Sequence, residues 1–448
     1  MLTSREARER AESLVELAIR QGASAADAIF ACSSSTDVQM RLGKLEDVQR
    51  SESAEIGLRV FDGQRVASVS GSDISDAGLA TLAERAVAMA RVASEDRFAC
   101  LAPEDLLFSG NAPDLELDDG GDPAPEHLRE MALQAEDAAR AIQGITNSEG
   151  GSAGAGRSIV ALATSHGFSG HYTASRYGCG ASVLAGGDGA MERDQAFHSA
   201  RHLADLESPE SIGTRAGERA VARLNPEPVR GGAMPVVLDP RIGASMLGHL
   251  LGAIGGSAIA RKTSFLLDKR NAPVFDSSIT VIDDPLRRRG LRSRWFDGEG
   301  VATKRSELVS KGVLNGWLMD AASARQLGER PTGHAARGTS GGPGVGSSNV
   351  HIEPGALAPE ALMADIATGI YVTELIGQGV NGVTGDYSRG ANGFVIRDGR
   401  IGHAVSEITI AGNLVDMFAA MQAASDLEFR RMLNVPTLRI DAMTVASG

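Results

Sequence analysis

Glycine limits how this chain can fold more than any other residue: 54 of its 448 positions are glycine, well above the usual share of about 7%. Residues without a Cβ collect where the backbone turns sharply or where two backbones approach closely, so the count predicts strand-rich architecture. Aromatics are only 4% of the sequence, so the cores must be built from Val, Leu, Ile, Ala and Met. A chain of this length is too long for one ordinary core and divides into several units.

The helix and strand signals alternate in the manner of an α+β protein. Thr3 and Glu6 have capping-box spacing before Ala11, Leu14, Val15 and Ala18 at helical period. Strand-like text runs from Ala28 to Val48. Residues 56–61 and 65–69 then flank Asp62-Gly63, a hairpin signal, and a helix is expected from about Asp76 to Val92. The Pro-, Asp- and Gly-rich stretch 102–125 reads as a linker or a long surface loop. Further helices are expected at 125–142, 208–224 and 240–254. Strands are expected at 158–164, 168–177, 181–185, 190–197, 234–238, 279–282, 312–319, 393–397 and 405–410, and Asp398-Gly399 is a second hairpin turn. The expected divisions are an α+β domain at 1–100, a linker at 101–124, a central α+β region at 125–226 and a β-rich domain at 227–448. Together they make an N-terminal lobe of antiparallel sheets with packed helices and a C-terminal strand-rich, mixed-sheet domain.

The net charge of −13 opposes binding of phosphate backbones or anionic lipid through a broad basic face. Arg287, Arg288 and Arg289 are consecutive but read as a solvated loop. Cys32, Cys100 and Cys179 are too few and too widely spaced for a disulfide framework or a zinc knuckle. No apolar run approaches the ~20 residues that span a bilayer and no signal-peptide pattern is present. The expected compartment is the cytoplasm.

A search for metal chemistry finds little. His-Glu-x-x-His and Cys-x-x-Cys are absent. His198 and His202 would share a face only on a helix, without a neighbouring Glu, and read as two exposed side chains. His249 reads as a core or interface side chain. The glycine-rich run 338–346 lacks the Gly-Lys-Ser/Thr of a phosphate loop and reads as a flap or connector, and Gly385–Gly390 is no Gly-x-Ser-x-Gly elbow. That last segment reads as a Gly-bounded turn presenting Asp386, Tyr387, Ser388 and Arg389.

Several segments together resemble the TldD/PmbA family, in particular its TldE (PmbA) branch. They are Thr373–Val380 (TELIGQGV), Gly385–Ala391 (GDYSRGA), Val405–Leu414 (VSEITIAGNL), Phe296–Lys304 (FDGEGVATK) and Pro331-Thr332-Gly333. In that family, TldD-like chains hold zinc with a His-Glu-x-x-x-His helix and a late cysteine, and TldE-like chains pair with them. Here the corresponding helix, Ser245–Ile254 (SMLGHLLGAI), has His249 alone and no carboxylate, and no cysteine follows Cys179. The resemblance therefore implies a subunit of a metallopeptidase acting on unfolded peptides, with no metal or cofactor of its own, no catalytic residue, and zinc on a TldD-like partner. It further implies a heterodimer, or a homodimer when the partner is missing. Asp386, Tyr387, Ser388 and Arg389, with Glu374, Gln378 and Asn413, become the candidates for a substrate cavity or subunit interface. Two other readings remain. One is a regulatory binding protein, as the family's older name "modulator of DNA gyrase" implies. The other is a homodimeric metalloenzyme using His198, His202 and His249.

Overall fold

The computed structural model describes residues 2–187 and 190–447. Helix α1 (Ser4–Arg20) starts at the expected capping box: the Glu6 amide donates to Thr3 Oγ1 at 3.2 Å and the Thr3 amide donates to Glu6 Oε2 at 2.7 Å. Its Ala7, Ala11, Leu14, Val15 and Ala18 are buried. Strands β1 (Ala25–Arg41), β2 (Lys44–Asp62) and β3 (Arg65–Gly71) lead to α2 (Asp76–Val92), capped by Ser75. Helix α3 (Pro125–Arg140), strands β4 (Ile145–Thr164), β5 (Ser169–Gly187) and β6 (Ala190–Ala200), and helix α4 (Pro209–Ala222) follow.

These six strands make one antiparallel sheet in the order β3-β2-β1-β4-β5-β6. Residues 1–100 and 125–226 are thus joined edge to edge, with β1 and β4 paired from Asp27↔Thr164 to Met40↔Gly151. Side chains alternate along β1, so Ala26, Ala28, Phe30 and Cys32 share a face with Val38 and Met40. The first four pack under α1 and α2, and the last two under α3 and α4. Strands of 17 to 20 residues exceed the usual length because one sheet carries both helix pairs side by side. On the opposite face, Ile29 and Leu162 meet Phe168 and Phe296. The rest of that face, with Ser35, Asp37 and Gln39, borders a polar hollow of about 520 Å3.

Two departures from the sequence reading have plain causes. Strand β4 begins at Ile145 rather than 158, because its glycines are needed for packing and do not mark a connection. A Cβ on Gly151 would sit 2.0 Å from the Ala132 carbonyl oxygen of α3. The turn between β1 and β2 was hidden because it uses Leu42 at φ 51° before Gly43 at φ 73°, where Asn-Gly or Asp-Gly is the usual signal. Its exposed amides are held instead by Glu136 of α3, whose fully buried carboxylate accepts from Leu42 N at 2.7 Å and Gly43 N at 3.0 Å. Glu136→Ala is expected to lower stability by about 2 kcal/mol, the scale of lost charge-assisted bonds to buried groups. Urea unfolding measures this, and a loss within error would show the turn holding itself.

The expected linker 101–124 is a packed strap. Leu115 and Leu117 are buried, Phe108 N donates to Gly300 O at 2.8 Å, and Glu116 accepts from Arg289 Nε at 2.5 Å and pairs with Arg288. Arg288 and Arg289 thus fasten the strap, and Arg287 lies 3.2 Å from the Phe429 ring centroid, so this arginine run is not merely solvated.

The C-terminal part has a mixed sheet. Its order is Arg400–Asn413, Asp386–Arg397, Thr368–Ile376, β7 (Gly232–Leu238), Leu438–Ser447 and Met421–Ala423, and β7 runs parallel to Thr368–Ile376. Pairing of Ile408 with Ser447 closes the sheet on itself. Asp398 and Gly399, at φ 49° and 74°, form the expected hairpin turn. The strand expected at 312–319 shrinks to Val313–Leu314 in a smaller sheet. After β7, Asp239 caps α5 (Pro240–Ala253), and Met246, Leu247 and Leu250 enter the core. The N-terminal sheet meets this part through a buried charge cluster. Asp27 pairs with Arg59 at 2.5 Å and Arg337 at 2.6 Å, and Arg59 lies 3.5 Å from Glu299. None of the helices described is long and apolar enough to cross a membrane.

Candidate functional site

Asp386, Tyr387, Ser388 and Arg389 open a β-strand, not a turn. Asp386 pairs with Asn413, Tyr387 with Gly412, Ser388 with Ala411 and Arg389 with Ile410. The strand period sends alternate residues to opposite faces, so the four divide. Tyr387 is buried and Arg389 half-buried on the inner face, and Asp386 and Ser388 are exposed on the outer one. The preceding loop folds back on this strand, with Ser388 N donating to Gly379 O at 2.7 Å and Asn381 N to Asp386 O at 2.8 Å. A Cβ on Gly379 would lie 2.0 Å from Ser388 O, which is why a glycine stands there. Gln378 is exposed on this loop. Asn413 ties the outer side together: its Oδ1 accepts from Val415 N at 3.0 Å, capping the helix Leu414–Ala419, and its Nδ2 donates to Thr384 O at 3.0 Å.

On the inner face, Tyr387 packs edge-on against His249 of α5, with ring centroids 5.8 Å apart at 82°. Tyr387 Oη, His249 Nε2 and Arg389 Nε are all buried without a hydrogen-bond partner among the described residues. Burial holds the His249 imidazole below its ordinary pKa, and the Arg389 guanidinium pushes the same way. Burial drives the Tyr387 phenol up to about 12 against the pull of Arg389. At neutral pH this is a neutral imidazole and a neutral phenol beside a cation.

Those donors do not fit a zinc ion. A catalytic zinc takes about three protein ligands and an open position, whereas His249 has a guanidinium for company and no carboxylate or thiolate. Among the described residues, no three His, Cys, Asp or Glu side chains converge. His198 and His202 do not share a helix face: His198 lies on β6 and His202 just beyond it. They are half-buried and in local use rather than exposed, since His198 Nδ1 accepts from Glu207 N at 3.1 Å and His202 Nε2 lies 3.0 Å from Glu116 O.

Glu374 belongs to a cleft of about 650 Å3 bounded by β6, α4, the start of α5, the strand Thr368–Ile376 and residues 426–435. It accepts from Arg223 Nη2 at 2.6 Å and Asn392 Nδ2 at 2.8 Å. Against the upward push of burial, these two partners hold its carboxyl below the ordinary value. Arg389 also lines this cleft, so of the seven residues singled out from sequence, two meet there. The sequence reading overlooked the cleft's other arginines. Arg215, Arg219 and Arg223 stand four residues apart along α4 and its cap, a stripe visible in the sequence. Arg241, Arg430 and Arg431 come from distant segments and carry no such signal.

Three family profiles match the chain: PmbA/TldA metallopeptidase domain 1 over residues 26–90, the central domain over 118–224 and the C-terminal domain over 231–447. Metalloprotease PmbA of Escherichia coli O157:H7 is 36% identical over 411 residues, which cover 91% of this chain and 89% of that protein. A solved structure from Bacteroides thetaiotaomicron, described as a modulator of DNA gyrase, superposes with a TM-score of 0.92 at 28% identity, with 100% of both chains covered. TldE from Thermococcus kodakarensis, at 22% identity, shares the fold with a TM-score of 0.88, covering 98% of this chain and 100% of its own.

Proposed function

Since the chain belongs to the PmbA/TldD metallopeptidase family, we propose that it is the subunit without metal in a two-chain peptidase, with the zinc on a TldD-like partner. The observation that carries this reading is the company of His249. One imidazole beside Tyr387 and Arg389 cannot lower the pKa of a metal-bound water, the step a zinc peptidase depends on. The chain's own contribution is binding. Glu374 and Arg389 line the cleft that receives peptide, and Asp386, Ser388 and Gln378, exposed on the outer side of the hairpin, form the contact face toward the partner. Tyr387 and Asn413 hold that hairpin in place. The complex acts in the cytoplasm on unfolded peptides, and the chain pairs with itself when its partner is missing.

The test is hydrolysis of an unstructured peptide by this chain, by a TldD-like chain and by the mixture, with zinc measured in each. Hydrolysis by the mixture alone, with zinc only in the partner, is the expected result. Hydrolysis by this chain alone with about one zinc per chain would overturn the reading. A regulatory role follows from the description of the Bacteroides thetaiotaomicron relative. Affinity capture from native cells distinguishes it by recovering gyrase and no zinc-bearing chain.

A further inference from the structure

The cleft beside Glu374 carries more positive charge than its own residues neutralise. Eight arginines and five carboxylates line it, in a chain whose net charge is −13. Asp194 serves Arg241 at 2.8 Å and Arg223 at 3.8 Å, Glu374 pairs with Arg223, Asp239 with Arg241 and Glu428 with Arg430, and Glu207, just outside the lining, pairs with both Arg215 and Arg430. Arg219, Arg389 and Arg431 have no carboxylate within ion-pair distance among the described residues.

Two of these cations, Arg219 and Arg431, are held in place without being neutralised. Arg219 Nη1 donates to Gln195 O at 3.3 Å, and Arg431 Nη1 donates to Arg241 O at 3.0 Å with its guanidinium 5.0 Å from the Phe197 ring centroid. Burial disfavours the charged form of Arg219 and of Arg431, and Arg241 adds to it, while Asp239, with Asp194 for Arg219, offsets this only in part; a guanidinium stays protonated, so a further anion in the cleft is favoured. A second, independent observation points the same way. Thr373 is 5% exposed and lines the cleft, and among the described residues neither its Oγ1 nor the Oγ of Ser245, which also lines it, has a hydrogen-bond partner. Buried polar atoms are nearly always satisfied, so these hydroxyls await an acceptor that the chain does not supply.

We propose that this cleft is a carboxylate-binding subsite for peptides, in which Arg219, Arg389 and Arg431 grip the carboxylate and the Thr373 and Ser245 hydroxyls donate to it. The inference rests on the peptidase reading above and names the substrate feature that reading leaves open. A planar carboxylate matches the guanidinium fork. The five acidic side chains in the same lining oppose a polyphosphate. The volume suits one chain end or one acidic residue with its neighbours.

Fluorescence anisotropy on the full chain tests this with three labelled, unstructured peptides. One has a free C-terminus and no acidic side chain, the second is its C-terminal amide, and the third is the amide with one internal Glu. The free-acid peptide is expected to bind at least about tenfold more tightly than the plain amide, the scale of a charge-assisted pair. The internal-Glu amide shows whether a side-chain carboxylate serves as well as a chain end. R219Q/R431Q should abolish the preference and R219K/R431K should retain part of it, which separates lost charge from lost folding. Equal affinity for all three peptides, a preference that survives R219Q/R431Q, or displacement by triphosphate at lower concentration than by acetate would overturn the proposal. Hydrolysis by the two-chain mixture is measured in parallel. If the mixture cleaves acid and amide peptides with the same KM, the subsite fails and the peptidase reading stands. If the mixture cleaves nothing while the binding preference persists, the reverse holds.

Discussion

Asp27→Ala is expected to destabilise the folded chain by about 3–5 kcal/mol, the scale of removing one partner from a buried ion cluster. Asp27 is 1% exposed, and both Arg59 and Arg337 pair with it. Removing its carboxylate leaves two guanidinium groups out of water, and Glu299, 3.5 Å from Arg59, is raised by burial to about 8 and gives them little negative charge at neutral pH. Asp27→Asn keeps the volume and should still lose most of this stability, because the charge is what the two arginines need. The exposed pair Arg5–Glu9 on α1, with side chains 81% and 51% exposed, provides the contrast, and Glu9→Ala should change stability by no more than about 0.5 kcal/mol. Urea unfolding of the three variants decides it. A loss below about 1 kcal/mol for Asp27→Ala would mean that the lobes shift to rehydrate the arginines. Arg337 and Arg59 hold the Asp27 carboxyl below its ordinary value against the push of burial. Its stabilisation is therefore present above the unfolded value of 3.8 and is lost as pH falls through the lower folded value.

The other carboxylate of the cluster should act in the opposite direction. Burial drives Glu299 up to about 8, with Arg59 pulling down and the Asp297 carboxylate pushing further up. Between the unfolded value of 4.5 and about 8, the folded chain holds a proton that the unfolded chain has released. Stability therefore declines as pH rises through that window and levels off above it. Glu299→Gln, which cannot ionise, should lack this decline. From pH 5.5 to 8.5 the native chain should lose a few kcal/mol relative to the variant. The comparison has to be made against the variant because His171, His198, His249 and His351 are all held below their ordinary value and give stability that rises with pH. Parallel stability curves for the two proteins would sink the idea that Glu299 is protonated in the fold.

What could be read from the residues and what could not divide along physical lines. Thr3 with Glu6, Asp398-Gly399, and the apolar spacing of α1 were legible because each depends on neighbours in the chain. The strand start at Ile145 was not, because glycine marks a turn and a tight helix-on-sheet contact with the same letter, and only the Ala132 carbonyl above Gly151 tells them apart. Leu42 at positive φ was hidden because its support, Glu136, comes from 94 residues away. For the candidate site, the segment Gly385–Gly390 drew notice by family likeness, but its division into two faces needed the pairing with residues 410–413. The arginine cleft was half legible. The spacing of Arg215, Arg219 and Arg223 is in the text, and the convergence of Arg389 and Arg431 upon them is made by the fold.

The pairing of β1 with β4 sets a timetable for the chain as it is made. Strand β1 ends at Arg41 and its inner partner is complete only at Thr164, about 120 residues later, or roughly 6–25 s at ~5–20 residues per second. Throughout that wait the β1–β2 hairpin offers an unfilled edge to any passing strand. The serines and threonine at 33–36 and the aspartate at 37 make that edge a poor template for sticky neighbours, so a nascent chain can leave the ribosome half-built without seeding aggregates.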